Sequence, residues 1–396
     1  MTAALPDRES DGARPVLLMI ATVAATVRQF LVPYAVHLRA NGWRVEAAAS
    51  GANDDPVLAI AFDATHHLPL SRSIRDLGSI AASWRSIARL VEASRPDIVH
   101  VHTPIASFLT RGAVHRIPSE RRPAAVYTAH GFHFHAGGHP LSNVAFLTAE
   151  RIAGRWTDRL VVINEDDEIA ARRHRIVPAR RLVRMPGIGL DTAFFAPTDG
   201  APEASARSSL GVPPDAPLFV SIGELNRNKR QADAITAFAA MTDERAHLVL
   251  VGEGPRRPEL QRLASDLGVA ERLHLTGQVG DVRPILGGAT ALVSTSAREG
   301  LSRSVMESLS MAVPVIASDA RGNRELARDT GIVVSVGDVP ALTAGMDRLV
   351  SDRSLRNQLG RRGRERMVAE YDIGILVERH ERLYAELLQE RPRVTG

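Results

Sequence analysis

The sequence predicts an α/β fold with two domains, each built on a parallel sheet that is covered by helices. Three observations lead to this prediction. The chain has 396 residues, and domains of about 150–200 residues are the natural expectation for that length. Short apolar runs alternate with helical patterns from end to end, which is typical of parallel sheets. A segment rich in Pro, Ala and Ser interrupts the alternation at 197–216 and is predicted to be a linker.

The first predicted domain spans residues 1–196. Its strand-like runs lie at 16–20, 44–49, 97–101, 124–129, 159–163 and 181–185. Helical patterns lie near 28–40, 75–94, 142–156 and 165–174. Asn41 and Gly42 are expected to end the first of these helices before the next strand begins.

The second predicted domain spans residues 217–371 and repeats the alternation. Its strand-like runs lie at 218–223, 247–251, 272–276, 290–294, 314–317 and 331–334. Helices near 338–369 and 374–390 close the chain. No short-period repeat and no low-complexity segment is found in the sequence.

Composition indicates a soluble or peripheral protein of the cytoplasm. Hydrophobic residues make up 44% of the chain and charged residues 24%, as in globular proteins. There is no cysteine, so neither a disulfide framework nor thiol chemistry is available. The polar start of the chain does not resemble a signal peptide, and the apolar run 15–27 is too short to span a bilayer.

The net charge is +4 and arginine supplies almost all of the bases. One cluster without acids contains arginines 172, 173, 175, 180, 181 and 184, and a second contains arginines 111, 116, 121 and 122. These clusters are interpreted either as solvated helix faces or as surfaces that attract anionic lipid or an anionic acceptor. Nucleic acid is not expected as a partner, because aromatic residues make up only 4% of the chain.

Lys229 is the only lysine in the protein. It follows the predicted strand 218–222, Gly223 and a polar loop, and a helical pattern begins directly after it. At such a position a compact ammonium group can bind a phosphate as a point charge. We therefore predict phosphate binding, against the alternative of an incidental surface lysine.

Glu299 and Glu307 lie eight residues apart, one in the loop before a predicted helix and one in its first or second turn. The backbone amides of Gly300, Leu301 and Ser302 lie between them, where a helix start can hold phosphate oxygens. The span is roughly 10–15 Å. Two carboxylates on either side of an anion site could bind hydroxyls at both ends of a nucleoside diphosphate sugar. The alternative role for each glutamate is favourable placement near a helix N-terminus.

His130 follows the predicted strand 124–129, and strand ends are where parallel sheets present ligand-binding groups. The segment 130–139 also contains His133, His135 and His139, but it has no acid or cysteine to complete a zinc site. A flexible loop is therefore predicted there rather than a metal site. His100 is expected to be a core residue, whereas His102 lies at the end of its strand.

These motifs together resemble the family 4 retaining glycosyltransferases of the GT-B fold, in the branch that assembles bacterial surface polysaccharides. The resemblance rests on Glu-x7-Glu (299–307) followed by VPVIA (313–317), and on HVHTP (100–104), TAHGFHF (128–134), PGIGLD (186–191), IGELNRNK (222–229), VGEGP (251–255) and RGNRE (321–325). It implies two Rossmann-like domains that face a deep interdomain cleft. It also implies that the first domain binds the acceptor, that the second binds the nucleotide sugar, and that the last helix (372–396) crosses back to the first domain.

The resemblance implies roles for individual residues. By this resemblance Glu307 binds the ribose hydroxyls, Glu299 contacts the donor sugar near the reacting carbon, and His130 lies beside that sugar. The catalytic candidates are Glu299, His130 and Lys229. Further donor-site candidates are Gly223, Asn226, Glu253, Gly254, Val279, Gly300, Leu301 and Ser302. The acceptor candidates are Thr22, Arg28 and His102, in or near a first loop that lacks the glycines many members carry. Asn323 and Glu325 are further candidates for a place in the cleft, and the alternative for Glu325 is a surface position on a helix.

One position departs from the family pattern. Members usually carry an arginine directly after the glycine that corresponds to Gly223, and this chain has Glu224 there. One expected positive charge is therefore missing from the phosphate site. The sequence leaves open whether Asn226, Arg227 or Arg303 compensates for it.

The predicted reaction is transfer of a hexose from a nucleoside diphosphate sugar, expected to be UDP-linked, to a hydroxyl of a saccharide or lipid-linked saccharide with retention. No metal or other cofactor is expected. Two alternatives stay open: a GT-B epimerase of UDP-sugars, and a non-catalytic protein that binds polysaccharide or lipid at a membrane surface. A nicotinamide dehydrogenase is disfavoured, because VGEGPRRPEL does not match G-x-G-x-x-G.

Overall fold

The computed structural model describes residues 14–70, 77–135, 137–198 and 200–390. The chain folds as two compact units. The first unit consists of two segments, the chain up to Gly189 and the chain from Ile373 onward. The second unit is Leu190–Asp372. The polar chain start (1–13), residues 75–76 of a predicted helix, Ala136 in the histidine loop and Asp199 in the predicted linker lie outside the described residues.

The described part of the first unit contains a seven-stranded parallel sheet. Its strands are β1 (Val16–Val23), β2 (Arg44–Ser50), β3 (Ala64–His67), β4 (Ile98–Val101), β5 (Ala124–Ala129), β6 (Arg159–Val162) and β7 (Leu182–Arg184). Its helices are α1 (Ala24–Phe30), α2 (Val32–Ala40), α3 (Pro56–Ala61), α4 (Leu77–Ser94), α5 (Pro104–His115), α6 (Pro140–Gly154), α7 (Glu165–Arg173) and, from the end of the chain, α16 (Ile373–Glu390).

The described part of the second unit contains a six-stranded parallel sheet. Its strands are β8 (Leu218–Ile222), β9 (His247–Val251), β10 (Leu273–Gly277), β11 (Ala291–Ser294), β12 (Val315–Ser318) and β13 (Gly331–Val334). Its helices are α8 (Ala201–Ser209), α9 (Gln231–Ala239), α10 (Arg257–Asp266), α11 (Arg283–Gly287), α12 (Arg303–Ser310), α13 (Arg321–Ala327), α14 (Val339–Ser351) and α15 (Arg353–Glu370).

Each sheet is buried on both faces. In the first unit one apolar cluster includes Leu17 and Met19 of β1, and a second includes Leu18 and Ile20 on the opposite face. The side chains of β1 are buried almost without interruption, as expected of a central parallel strand between helix layers. Helix α16 completes the first of these clusters with Tyr384 and other apolar residues. The second unit has two corresponding clusters.

The strand orders determine where ligands can bind. The first sheet has the order β3-β2-β1-β4-β5-β6-β7 and the second β10-β9-β8-β11-β12-β13. In the first sheet the strand order reverses direction between β1 and β4. In the second sheet it reverses between β8 and β11. Open parallel sheets bind ligands beyond the carboxyl ends of the strands at such a switch point.

Several predicted elements differ from the structure. The expected helix 28–40 is two helices that meet at Leu31, with Pro33 in the first turn of α2. Strand β3 and helix α3 were not predicted, because both are short, and the 12-residue helix α5 was also not predicted. The segment 197–216, predicted as a linker, belongs to the second unit and contains α8, which packs on α11. The predicted helix stop at Asn41 and Gly42 is confirmed, since α2 ends at Ala40.

No helix among the described residues combines the length and the apolar character that crossing a membrane requires.

Candidate functional site

The predicted donor residues of the second unit converge on the switch point between β8 and β11. Two loops leave these strands side by side, and backbone and side-chain hydrogen bonds join them. The amide of Ala297 donates to the carbonyl of Asn228 at 2.8 Å, and Nδ2 of Asn228 donates to the carbonyl of Arg298 at 3.0 Å. Oγ1 of Thr295 donates to the carbonyl of Lys229 at 2.8 Å. These hydrogen bonds therefore hold the two loops together beyond the carboxyl ends of β8 and β11.

Lys229 and Glu299 meet directly across these loops. Nζ of Lys229 donates to Oε1 of Glu299 at 2.7 Å, and both side chains are largely buried. Gly223 makes room for the lysine, because a Cβ at that position would lie 2.9 Å from Cε of Lys229. The backbone of Gly223 also has a φ of 150°, a conformation that side chains disfavour. The sequence placed these three residues at one site, and the structure brings them together.

Asn226 shapes the loop rather than facing a ligand with its oxygen. Its Oδ1 accepts hydrogen bonds from the amides of Asn228 and Lys229, each at 3.0 Å, and its Nδ2 donates to Glu224 at 3.0 Å. This turn places Lys229 directly before Arg230, the N-cap residue of α9. Of the three residues considered as substitutes for the missing arginine, Asn226 is thus occupied by its own loop.

The glycines of VGEGP permit close backbone contact with the same loop. A Cβ at Gly252 would overlap the carbonyl of Gly223, and a Cβ at Gly254 would lie 2.6 Å from the amide nitrogen of Leu225. The amide of Leu225 donates to the carbonyl of Glu253 at 2.9 Å. The half-exposed carboxylate of Glu253 accepts from Arg257 at 3.1 Å. Gly254 therefore lets its backbone pack against the loop that carries Leu225 and Lys229.

The start of α12 presents backbone amides at the same switch point. Ser302 is the N-cap residue of α12, and its side chain makes no capping hydrogen bond. Its Oγ instead lies 3.1 Å from Oγ of Ser304. Gly322 of α13 allows the preceding loop to pack closely, because a Cβ there would overlap the carbonyl of Gly300. The side chain of Ser302 therefore does not cap the first amides of α12.

Glu307 lies in the second turn of α12 with its side chain mostly buried. Nε of Arg303 donates to its Oε1 at 2.8 Å. Burial raises the pKa of the Glu307 carboxyl, and the guanidinium of Arg303 opposes that rise. Arg303 and Arg227 were both considered as substitutes for the missing arginine. Arg303 already neutralises the carboxylate of Glu307.

The side chain of Arg227 is exposed.

Four further predicted residues fall into two groups. Val279 and Leu301 are half-buried and pack against the same apolar cluster of the second unit. Asn323 is fully buried: its Nδ2 donates to the hydroxyls of Ser294 and Ser318 at 3.1 and 3.3 Å. Glu325 is also buried, so the alternative of a surface helix residue is wrong.

The predicted acceptor residues of the first unit lie at its own switch point, between β1 and β4. Oγ1 of Thr22 lies 2.7 Å from Oγ1 of Thr103, which joins the ends of these strands. Thr103 was not among the predicted residues, although it follows His102 directly. Arg28 is half-exposed and forms an ion pair with Asp55 at 3.5 Å.

A row of histidine rings runs through the first unit to the end of β5. His100 is buried and bonded on both nitrogens, to Tyr384 at 2.6 Å and to Thr128 at 2.8 Å, which confirms the predicted core role. The ring of His102 lies 4.0 Å from that of His100 and 5.7 Å from that of His130, measured between centroids. Both nitrogens of His102 are buried and lack a hydrogen-bond partner among the described residues. Such a ring gains stability when a ligand or water bonds to it.

Burial lowers the pKa of every ring in this row. The pKa of His130 falls from 6.5 to about 4 through desolvation, with a smaller contribution from His380. The pKa values of His100 and His102 are lowered well below 6.5 for the same reason, and neighbouring histidines add to the effect. His130 and His102 are therefore neutral near pH 7, when each ring can donate one hydrogen bond and accept another.

The histidine-rich loop after β5 does not gather its rings. The ring of His133 lies 5.2 Å from that of Phe146, and His139 is the N-cap residue of α6. The amide of His135 donates to Oδ1 of Asn143 at 3.2 Å. Within residues 14–70, 77–135, 137–198 and 200–390, no three His, Cys, Asp or Glu side chains are grouped so that they could hold a metal ion.

Two family models match the chain. The model described as "Glycosyl transferase 4-like domain" matches residues 26–187, and the model described as "Glycosyl transferases group 1" matches residues 203–366. The chain is similar to a Bacillus subtilis protein described as a glycosyltransferase, EpsD, with 32% identity over 354 residues, which cover 88% of this chain and 91% of that protein. It is also similar to the UDP-Gal:alpha-D-GlcNAc-diphosphoundecaprenol alpha-1,3-galactosyltransferase of Escherichia coli, with 25% identity over 80% of this chain and 81% of that one.

Solved structures share the fold. The structure of Anabaena HepE in complex with UDP and glucose superposes with a TM-score of 0.80 at 17% identity, covering 94% of this chain and 100% of that one. Sucrose-phosphate synthase from Thermosynechococcus elongatus superposes with a TM-score of 0.79 at 21% identity, covering 95% and 100%. Two parallel-sheet units of Rossmann type are therefore the shared architecture.

Proposed function

We propose a specific sugar transfer for this chain, which belongs to the family 4 glycosyltransferases of the GT-B fold. The proposed reaction moves a hexose from a UDP-sugar to a hydroxyl of a saccharide or lipid-linked saccharide, with retention at the anomeric carbon. The observation that carries the proposal is the contact between Lys229 and Glu299 beside the uncapped start of α12. A lone ammonium and a row of amides at a switch point form a site for a diphosphate.

The donor is proposed to bind as follows. The ammonium of Lys229 and the first amides of α12 bind the diphosphate, and Glu307 accepts hydrogen bonds from the ribose hydroxyls. Glu299 contacts the sugar, while its bond to Lys229 fixes both side chains before the donor arrives. The choice of UDP is supported by the names of two similar proteins, one a UDP-galactose enzyme and one a structure that holds UDP and glucose.

The chemical step is proposed to depend on stabilisation of the leaving group. The bond between the anomeric carbon and the diphosphate oxygen breaks, and the acceptor oxygen bonds to the same face of that carbon. The acceptor proton passes to the departing phosphate oxygen. Lys229 and the α12 amides neutralise the charge that develops on the diphosphate, and these fixed groups take the place of a divalent cation. Neutral His130 donates a hydrogen bond to the sugar.

The acceptor is proposed to bind to the first unit near Thr22, Arg28 and His102. Unbonded ring nitrogens on His102 suit a sugar hydroxyl, which both donates and accepts. A lipid-linked saccharide of a surface polysaccharide pathway is proposed because the name of a similar Escherichia coli protein specifies a diphosphoundecaprenol-linked substrate. Two similar Rhizobium meliloti proteins carry names of lipopolysaccharide core biosynthesis enzymes.

Calorimetric titration with UDP and UDP-hexoses tests the donor site. We expect saturable binding without added metal, and binding about 10–100-fold weaker in Lys229→Ala and in Glu307→Ala, since each loses a hydrogen bond to or from a charged group. Arg262→Ala, an exposed change on α10, is the matched control. Unchanged binding in both site variants would remove the proposed donor site.

Product analysis distinguishes the alternatives. Transfer with retained configuration in the presence of EDTA supports the proposed reaction. Epimerised UDP-sugar formed without any acceptor would favour the epimerase hypothesis instead. Saccharide binding without turnover of any UDP-sugar would favour a non-catalytic protein.

A further inference from the structure

We propose that Glu224 favours release of the nucleoside diphosphate product, because its carboxylate weakens the binding of UDP more than the binding of a UDP-sugar. This selectivity rests on the proposed function, since it requires the diphosphate to bind beside Lys229. Glu224 lies directly after Gly223, in the loop that leaves β8 at the switch point. A negative charge in this loop opposes an anionic ligand rather than holding it.

The backbone of the loop fixes the position of Glu224. Its carbonyl accepts hydrogen bonds from the amide of Asn226 at 2.9 Å and from Nε2 of Gln231, in the first turn of α9, at 3.0 Å. Gly252 packs against the same stretch, since a Cβ there would lie 3.7 Å from the amide nitrogen of Glu224. Two hydrogen bonds and a close backbone contact therefore hold residue 224 beyond the carboxyl end of β8.

The side chain of Glu224 is tied to the residue that carries the ammonium group. Oε2 of Glu224 accepts from Nδ2 of Asn226 at 3.0 Å, and Oδ1 of Asn226 accepts from the amide of Lys229 at 3.0 Å. The path from the carboxylate to the Lys229 backbone is therefore about 8 Å at most. Nζ of Lys229 lies next to Gly223, since a Cβ there would be 3.4 Å from it. The carboxylate and the ammonium thus belong to one short stretch of loop.

No basic side chain compensates for the charge of Glu224 within residues 14–70, 77–135, 137–198 and 200–390. The hydrogen bond to its carboxylate comes from a neutral amide, and no ion pair joins it to an arginine or to the lysine. Lys229 is bonded to Glu299, and Arg230 donates from Nε to Asp233 at 2.6 Å. Glu224 is also exposed, so solvent alone screens its charge. A diphosphate bound beside this loop therefore lies near an unpaired carboxylate.

Donor and product differ by about one negative charge on the second phosphate. In a UDP-sugar this phosphate is bonded to the sugar and carries a single charge. In UDP it is terminal, and its second ionisation has a pKa of about 6, so it carries about one more negative charge at pH 7.5. At about 8 Å and with solvent nearby, repulsion of one added charge changes a dissociation constant about threefold. Glu224 therefore selects against UDP relative to a UDP-sugar.

The same repulsion acts on the chemical step. The added charge develops on the second phosphate as its bond to the anomeric carbon breaks, so Glu224 opposes bond breaking to the extent that this charge has formed. The repulsion is complete only when UDP is the bound species. The carboxylate therefore benefits turnover where product release, rather than bond breaking, sets the rate.

Calorimetric titration with UDP, UDP-glucose and UDP-galactose in the presence of EDTA tests this role. At pH 7.5 we expect Glu224→Gln to tighten UDP binding more than UDP-sugar binding, and to shift the ratio of the two dissociation constants about threefold in favour of UDP. Glu224→Asp keeps the charge and should keep the wild-type ratio. Glu244→Gln removes another exposed carboxylate of the second unit and is the matched control.

A second pH value separates this charge effect from a structural role. At pH 5.5 most of the terminal phosphate of UDP holds a proton, so donor and product carry similar charges. The ratios of dissociation constants in wild type and in Glu224→Gln should then converge. A change in loop structure alone would shift the ratio at both pH values.

Melting points equal to that of wild type show that the variants fold. Equal tightening of UDP and the UDP-sugars by Glu224→Gln, weaker UDP binding, or a shift that persists unchanged at pH 5.5 would overturn the role of Glu224. Failure of the wild type to bind any of the three ligands is a different result, since it would remove the proposed donor site itself and this role with it.

Discussion

At the scale of single residues, Glu299 offers a test that separates binding from chemistry. Its Oε1 accepts a hydrogen bond from Lys229 at 2.7 Å, and its proposed sugar contact strengthens as the anomeric carbon becomes positive. Glu299→Gln keeps the shape and an accepting oxygen but removes the negative charge. We expect kcat to fall on the order of 100-fold while the Kd for UDP changes by less than about threefold.

Steady-state kinetics and calorimetry on the same preparations check this expectation. Glu259→Gln changes an exposed glutamate that is bonded to Arg256, and it should leave both constants unchanged. If Glu299→Gln weakens UDP binding as much as it slows turnover, the carboxylate merely positions Lys229 in the ground state.

The residues of the proposed donor site show how much of a site the sequence can predict. A lone lysine after a strand and a glutamate before a helix start predict one shared site, because parallel strands end at the same edge of a sheet. The sequence does not show that Oδ1 of Asn226 bonds to its own backbone at 3.0 Å, or that Arg303 pairs with Glu307. Both pairings depend on the side-chain rotamers, which tertiary contacts select.

At the scale of elements, the contact between α13 and the loop before α12 positions the amides that are proposed to bind phosphate. Gly322 of α13 lies so close to this loop that a Cβ would overlap backbone atoms of Gly300. Gly322→Ala should therefore displace the loop, lower stability by about 1–3 kcal/mol and weaken UDP binding. Denaturant unfolding and UDP titration measure the two effects.

Gly345 provides the matched control for that substitution. It also lies inside a helix, α14, but a Cβ there would meet its nearest neighbour, Cγ2 of Ile316, at 3.4 Å. Gly345→Ala should keep UDP binding and raise stability by about 0.5–1 kcal/mol, because alanine favours the helix. Equal behaviour of the two variants would show that helix propensity, not the loop contact, decides the outcome.

Elements were predictable where hydrophobic periodicity is long and strong. Twelve apolar runs predicted strands, and each corresponds to a strand of the structure. Short elements escaped prediction: β3 contains two histidines within its four residues, so it lacks an apolar run. Helix α8 was not predicted because its segment is rich in Pro and Ser, and tertiary contacts such as its packing against α11 stabilise it.

At the scale of the whole molecule, the titratable histidines are unevenly distributed. Twelve of the 14 histidines lie in the first unit, and the second unit has only His247 and His274. The row of buried rings in the first unit includes His380 of α16, whose ring is packed among Tyr34, Tyr384 and His100. Burial lowers the pKa of His380 from 6.5 to about 4, as it does for His130.

This distribution predicts that acid destabilises the first unit selectively. Below pH 6.5 the unfolded chain binds protons that the buried ring of His380 and the partly buried ring of His130 do not bind until about pH 4. The free energy of unfolding therefore falls as pH falls through that window. The loss in the free energy of unfolding is about 2 kcal/mol for each of these two groups at about pH 5.

Hydrogen exchange of wild type at pH 7.5 and 5, corrected for intrinsic rates, should show faster opening of β4 and β5 at the lower pH, with less change in β8 and β11. His380→Leu should reduce the acid effect, because one buried ring no longer excludes a proton. Equal protection of β4 and β5 at both pH values would contradict the neutral, buried state of these rings.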